Sequence, residues 1–288
     1  MKKIFAAVLA SVGLTAAAPS SAVVVGGVDF GVLGGPPFNT HFEVATLAET
    51  FVANVGDTLQ GYGLVTNING NTGTNYCAGG GNCAIYYYFH DYTVKTFNGS
   101  NVAFTGGVVD LYYSNAAPAN LLNQSSAANV AFITGLTPWV SLTGHTFYDA
   151  ILDAVAGFDG LQTLNGAGTL TGGTLSQSGQ GQADVDTSGA FGIAAVAAFL
   201  DGNAIPDALG GFSDLIFTTS SNNTILNPFD LASSLADSCR SQPEVGDWCL
   251  AGSLDARGTT VIPEPGTLAM LGLALFGIGV ARTRRKQS

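Results

Sequence analysis

Basic residues are scarce in this sequence of 288 residues. It contains nine lysine and arginine residues against 20 aspartate and glutamate residues, which gives a net charge of −11 at neutral pH. A protein that binds nucleic acid needs a basic surface, because its cations displace the counterions of the phosphates. The composition therefore excludes a nucleic-acid partner.

Charged residues of either sign are few. They make up 10% of the sequence, whereas apolar residues make up 47%. A disordered chain shows the opposite balance, with high charge and low hydrophobicity. The chain is also long enough for one large domain or two small ones with a buried core.

Sequence signatures of enzymes are missing as well. There is no Gly-x-Ser-x-Gly nucleophile motif, and no lysine or arginine follows the glycine-rich segment 164–182 as a phosphate loop would require. The histidines His41, His90 and His145 lie in three different segments, and none belongs to a nucleophile motif. We therefore expect no enzymatic activity and keep a secreted hydrolase as an alternative.

The polar residues that are present favour β-structure. Between residues 23 and 260 they are mainly Asn, Ser, Thr and Gly, whereas helix surfaces prefer Glu and Lys. Aromatic and β-branched runs at 84–89 and 92–97 are followed by a turn at Asn98-Gly99. Short strands with such punctuation predict an all-β fold, mainly an antiparallel sandwich or a barrel-like sheet.

The body divides into two regions by composition. Residues 23–115 form a β-rich region that includes a loop between Cys77 and Cys83, and residues 116–260 form a glycine-rich, mainly β region. The polar stretch from residue 116 to 126 is the best candidate for a boundary, and the two regions belong either to separate domains or to one. Segments 147–155 and 193–200 fit a helix and a strand equally well.

The cysteines lie in two close pairs, Cys77 with Cys83 and Cys239 with Cys249. Four cysteines allow three disulfide connectivities. Pairing within each cluster needs the least rearrangement of the chain, and an oxidising compartment would favour it. No pair has a Cys-x-x-Cys spacing with a nearby histidine, so a zinc site is not indicated.

Two acidic groups resemble calcium-binding turns. Asp184, Asp186 and Ser188 occupy the first, third and fifth places of a loop with glycine sixth, and the second group contains Asp201, Asn203 and Asp207. The glutamate that would complete an EF-hand is absent, because the twelfth position is Ala195. Calcium is thus a candidate cofactor, although turns closed by the Asp and Asn side chains are the simpler interpretation.

Tyrosines are dense in the two long aromatic runs. Strand alternation would place about half of them on an outward face, where flat rings can stack on sugars. The candidates for sugar stacking are Tyr86, Tyr88 and Tyr112. The alternative is that these rings cover and stiffen a sheet.

The first 22 residues have the three parts of a secretory signal peptide. Lys2 and Lys3 precede an apolar run at 4–14, and small residues follow at 15–22. The run is too short for a permanent membrane span. We expect recognition by the Sec machinery and signal peptidase, with a mature start at Val23.

Residues 261–288 form a second apolar segment with a basic end. Pro263, Glu264 and Pro265 precede an apolar stretch at 266–281, which predicts one transmembrane helix. A basic stop-transfer cluster follows: Arg282, Arg284, Arg285 and Lys286. Because lysine and arginine prefer the cytoplasmic side, the body is expected outside.

This ending resembles the PEP-CTERM sorting domain, in which a Pro-Glu-Pro motif, an apolar segment and an arginine-rich terminus follow one another. The resemblance implies recognition by an exosortase, export through the inner membrane of a Gram-negative bacterium, transient anchoring, and then placement at the cell surface or outside the cell. It further implies an association with exopolysaccharide and biofilm. We therefore expect a structural or adhesive role there, with a calcium-dependent carbohydrate-binding module as the other non-catalytic alternative.

Overall fold

Alternating apolar and polar residues form long antiparallel strands in the computed structural model, which describes residues 22–33, 38–122, 124–224 and 226–261. Strand makes up 44% of the structure and helix 13%. The prediction of a mainly β, antiparallel fold is therefore confirmed. The predicted signal peptide, apart from Ala22, and the predicted C-terminal helix lie outside the described residues.

The structure contains seventeen strands and five α-helices within its described ranges. The strands are β1 (Val24–Val25), β2 (Val28–Asp29), β3 (Thr40–Glu49), β4 (Thr58–Leu64), β5 (Asn67–Ile68), β6 (Asn71–Thr72), β7 (Ala84–Phe97), β8 (Asn101–Ser114), β9 (Thr137–Gly144), β10 (Phe147–Tyr148), β11 (Leu161–Gln162), β12 (Leu164–Thr169), β13 (Ser176–Val185), β14 (Ile205–Pro206), β15 (Phe212–Ser213), β16 (Leu215–Asn222) and β17 (Leu250–Gly258). The helices are α1 (Ser126–Thr134), α2 (Ala150–Asp153), α3 (Ala194–Leu200), α4 (Leu231–Leu235) and α5 (Asp237–Ser241), and a 3₁₀ turn spans Ala78–Gly80.

Eight of these strands close into a barrel-like sheet. The order is β17-β16-β13-β12-β8-β7-β4-β3, and β17 then pairs with β3. Of the two predicted architectures, the structure thus shows the barrel-like one. Closure pairs both edges of the sheet, which removes the exposed edges that promote aggregation. β3, β4, β7 and β8 precede residue 116 and the other four strands follow it, so both regions of the body build the same sheet.

The main hydrophobic core lies inside this sheet. Alternation along β7 sends Tyr87 and Phe89 inward and Tyr86 and Tyr88 outward. The outward rings belong to a second cluster that α1 covers with Ile133. α1 begins where Ser125 accepts a hydrogen bond from the amide of Ala128, which is a standard helix cap.

The two segments that the sequence left open have mixed structures. In the first, Phe147–Tyr148 is a strand and Ala150–Asp153 is a single helical turn capped by Asp149. In the second, Ala194–Leu200 is a helix whose Val196 and Phe199 are buried. None of the helices in the described part of the chain is long and apolar enough to cross a membrane.

Candidate functional site

One outer face of the closed sheet is a grid of uncharged polar side chains. It spans β12, β13, β16 and β17, whose outward positions are in register. Asn165 lies opposite Gln180 and Gln180 opposite Thr218, while Ser178 lies opposite Ser220 and Ser220 opposite Ser253. We define the polar outer face as Asn165, Ser176, Ser178, Gln180, Thr218, Ser220 and Ser253. All of these except the half-buried Asn165 are exposed.

Two groups of hydrogen bonds order the polar outer face. The Ser220 and Ser253 hydroxyls are 3.1 Å apart. The side-chain amides of Asn165 and Gln180 donate to a carboxylate oxygen of Asp149 over 3.0 and 3.3 Å. Neighbouring strands lie about 4.8 Å apart and outward positions about 6.6 Å apart along a strand. This lattice of donors and acceptors can meet the hydroxyl groups of an extended sugar chain.

A histidine with two carboxylates borders the polar outer face. Asp255 lies opposite Thr218 on one side and Glu43 on the other. His41 Nε2 is 2.8 Å from Asp255 Oδ2, and Nδ1 is 3.6 Å from Glu43 Oε1. Burial would raise the pKa of Asp255, but hydrogen bonds from His41 and Arg257 hold it below its ordinary value. The ligand atoms of His41, Glu43 and Asp255 lie within 4.8 Å of one another, so this group could hold a divalent metal ion.

A second histidine joins the two predicted calcium groups. His145 Nδ1 is 2.8 Å from Asp184 Oδ2, and Nε2 is 2.7 Å from Asp207 Oδ2. Desolvation lowers the pKa of His145, but the two hydrogen bonds raise it above its ordinary value. The structure therefore brings Asp184 and Asp207 together around an imidazole.

Local hydrogen bonds engage other members of the calcium groups. Asp186 accepts from the amide of Ser188 over 2.8 Å, and Asp207 accepts from the amide of Leu209 over 2.7 Å. Each is an Asx-turn, in which the side chain binds the backbone two residues ahead. Ser188 accepts from the Ala190 amide. These contacts favour the turn interpretation, and calcium binding stays a prediction.

A hydrogen bond joins the last two calcium candidates, the Asn203 side chain donating to Asp201. The Asn203 amide also donates to buried Asp214 over 2.6 Å. Burial raises the pKa of Asp214. This carboxylate therefore fixes the 201–207 loop from inside.

The third histidine also lies between two carboxylates. His90 Nδ1 is 2.8 Å from Asp91 Oδ2, and Nε2 is 3.4 Å from Asp110 Oδ2. The hydrogen bond to Asp110 raises the pKa of His90 most. Asp110 also accepts from the Ser141 hydroxyl over 2.6 Å, so this serine donates to a carboxylate and not to the histidine. Every histidine of the sequence thus bridges two acidic residues.

The three tyrosines proposed for sugar stacking are largely covered. Tyr86 is buried under Phe132, with ring centroids 5.6 Å apart, and Tyr112 under Phe191 at 5.5 Å. Neither ring has a face open to a sugar. Tyr88 is half-buried and stacks on His90. These rings point to the outside of the sheet, as strand alternation predicts, but α1 and the loops around Phe191 cover them.

Both local disulfides are present. Cys77 is bonded to Cys83 and Cys239 to Cys249, and no cysteine is free. The Cys239–Cys249 bond ties α5 to the residue immediately before β17, the strand that closes the sheet. The predicted connectivity is therefore the one in the structure.

One buried carboxyl group, that of Glu49, is not among the residues predicted from the sequence. Glu49 at the end of β3 is 4% exposed and accepts a hydrogen bond from Gln177 over 3.1 Å. Burial raises its pKa from 4.5 to about 7. Its position two residues after inward-facing Leu47 is the signal that could have revealed it.

The predicted sorting motif Pro263, Glu264 and Pro265 and the basic cluster that follows lie outside the described residues. No curated protein and no solved structure matches the chain. A family model does match its end: residues 261–286 fit the PEP-CTERM protein-sorting motif. The chain therefore carries a PEP-CTERM sorting motif on a closed β body, and this motif implies an exported protein that is targeted to an exosortase.

Proposed function

We propose that the protein is a structural or adhesive component of the cell surface or extracellular matrix, where it contacts exopolysaccharide within a biofilm. The Sec machinery exports it through the inner membrane of a Gram-negative cell, and signal peptidase removes the signal peptide. The tail then anchors it transiently as a transmembrane helix, and an exosortase processes it. The sorting motif supports this route. The polar outer face carries the adhesive part of the proposal.

The chemistry of the polar outer face suits a neutral sugar chain. Its Ser, Thr, Asn and Gln side chains donate and accept hydrogen bonds without charge. Residues 23–262 contain 19 acidic and three basic residues, a net charge of −16. Such a body repels an anionic polymer at low salt. A neutral polysaccharide is therefore the expected partner.

The hydrogen bonding of the histidines supports a non-catalytic role. His41, His90 and His145 each bridge two carboxylates. A general base for hydrolysis needs a hydrogen bond to its nucleophile. Both ring nitrogens of each of these imidazoles lie instead near carboxylate oxygens. We therefore propose that the protein is not an enzyme.

Calcium-dependent carbohydrate binding is a second candidate. The observation that favours it is the position of Asp255, which lies beside Thr218 on the polar outer face and within the group His41, Glu43 and Asp255. An ion held there would meet a sugar hydroxyl at the border of this face.

Cosedimentation of the full chain with polysaccharide tests the proposal. The probes are exopolysaccharide isolated from the host, neutral dextran and anionic alginate. The double variant Ser178→Glu with Thr218→Glu places two carboxylates on the polar outer face and should abolish most of the binding. Thr105→Glu adds a charge at an exposed strand position outside this face and should leave binding unchanged.

Equal binding by the two variants would overturn the adhesive proposal. A chelator separates the two candidates, because it should weaken binding only if calcium takes part. Melting with and without added calcium gives an independent readout, since an ion that binds the folded state stabilises it.

A further inference from the structure

The interior of the closed sheet is not completely filled. A cavity of about 70 Å³ lies among inward-facing residues of the strands and α3. Its wall includes Phe42, Phe89, Leu142, Leu200 and Phe217. No polar atom of the described residues around it reaches its surface. The lining residues Tyr87, Tyr92 and Thr219 carry hydroxyl groups, but the surface that faces the cavity is formed by apolar atoms.

Four of the five aromatic rings along the wall of the cavity fit there because glycines on neighbouring strands make room for them. Phe89 lies opposite Gly61, Tyr87 opposite Gly63 and Phe217 opposite Gly181. The fourth ring, that of Tyr92, lies over Gly107. A methyl group at any of these glycines would overlap the ring above it.

The arrangement of these rings explains why the centre stays open. The ring planes of Tyr87 and Phe89 are nearly parallel, with an interplanar angle of 7° and centroids 6.5 Å apart. Each ring lies over a glycine of the neighbouring strand, and a ring in that position does not project across the barrel. The interior of an eight-stranded barrel is otherwise just wide enough for its side chains to fill. The glycine and aromatic pairs therefore build the cavity.

Water is a poor occupant of this space. One water needs ~10–15 Å³ and several polar partners, so the volume is sufficient. The hydroxyls of Tyr87 and Tyr92 have no hydrogen-bond partner among the described residues, but no polar atom of the lining reaches the surface of the cavity. Apolar cavities of ~150 Å³ stay dry and bind benzene or xenon. The cavity here has about 70 Å³, less than half that volume. From this geometry we propose that the interior of the closed sheet is a binding site for a small, uncharged apolar molecule that is smaller than benzene.

Xenon is the probe that tests this site. The full chain, labelled at its Val and Leu methyl groups, is titrated with xenon under pressure in detergent micelles. Methyl signals of Val44, Leu142 and Leu215, which line the cavity, should shift and reach saturation. Signals on the outside of the sheet should change little.

Matched variants locate the binding. Ala256 lines the cavity, and Ala256→Leu should fill it and remove the xenon shifts. Ala131→Leu makes the same substitution on the exposed side of α1 and should leave the shifts intact. Leu142→Phe provides a second filling variant if Ala256→Leu does not fold.

The xenon titration of the unsubstituted protein is by itself sufficient to overturn the proposal. Lining methyl signals that do not move, or that move linearly without saturation, would show that the cavity is a packing defect without affinity. Undiminished shifts in a folded filling variant would place the xenon elsewhere. Benzene, tested in the same way, sets the upper size limit of the ligand.

Discussion

Residues 23–262 contain 19 carboxylates, and three histidines supplement the three lysine and arginine residues as possible cations. Each histidine lies between two of the carboxylates. Hydrogen bonds to these carboxylates raise the pKa values of His90 and His145. Histidine therefore serves this body mainly as a bridge between acidic residues, which reduces their mutual repulsion.

Ionisation of Glu49 makes the folded protein less stable as the pH rises, because burial raises the pKa of this carboxyl group. Its pKa is 4.5 in the unfolded reference and about 7 in the folded protein. The folded state binds the proton more tightly, so this stabilising contribution is complete below pH 4.5 and is lost as the pH rises through about 7. The loss amounts to about 3 kcal/mol.

Replacing Glu49 by glutamine tests this pH dependence. Glu49→Gln removes the ionisation and retains an oxygen for Gln177, so it should stabilise the protein near pH 8 and flatten the decline in stability. The measurement is the free energy of unfolding in urea near pH 5 and near pH 8. Glu244→Gln, at an exposed position, is the control. A variant that declines as steeply as the parent would contradict the prediction.

At the scale of single elements, strand register determines what each glycine does. β4 places Gly61 and Gly63 directly opposite Phe89 and Tyr87 of β7. The sequence shows many glycines and many aromatic residues, but it does not show which of them face each other. Strand pairing supplies that information, because opposite residues come from separate parts of the chain.

Gly61→Ala tests the pairing. The added methyl group would overlap the ring of Phe89 and should destabilise the protein by about 1–3 kcal/mol, the usual cost of overpacking. Gly81→Ala is the matched control, because its methyl group would meet only the Ala78 carbonyl oxygen at 3.7 Å. Urea unfolding measures both variants. Similar stability of the two would show that the ring moves freely.

The segments at 147–155 and 193–200 show a limit of periodicity. Both carry apolar residues at helical spacing, yet only the second forms more than one helical turn. Phe147 and Tyr148 pair with β11 instead. A short apolar run satisfies either structure, and the contacts available to it decide between them.

At the scale of the whole molecule, the last strand closes the sheet and leads directly into the sorting motif. β17 pairs with β3 and ends at Gly258, and the motif match begins at residue 261. Asn39 accepts hydrogen bonds from the amide and the hydroxyl of Thr260 over 2.7 and 3.0 Å. The segment before β3 is thereby joined to the segment after β17, one residue before the motif match begins.

Processing of the tail can be tested at its two prolines. Proline favours an extended chain and lacks an amide donor, so it keeps a cleavage site out of a helix. The double variant Pro263→Ala with Pro265→Ala should accumulate in the membrane fraction with its tail uncleaved. Cell fractionation and mass spectrometry of the C-terminus measure this. Pro118→Ala, at an exposed position in the body, should be processed normally.

If the two proline variants are processed equally, Pro263 and Pro265 are not needed for processing of the tail, and the prediction is wrong. A protein without residues 261–288 gives a further comparison. It should leave the cell or remain in the periplasm without a membrane-bound stage. The same distribution as the full chain would contradict the role of the tail.

The sequence by itself determined the features that depend on neighbouring residues: the mainly β fold, the local disulfides and the sorting motif. These follow from residue type, alternation and spacing within short segments. The tertiary structure alone decided that the sheet closes, that α1 and the loops cover Tyr86 and Tyr112, and that His145 joins Asp184 to Asp207. It also created the polar outer face and the apolar cavity. Their residues come from strands far apart in the chain, and only the pairing of those strands brings them together.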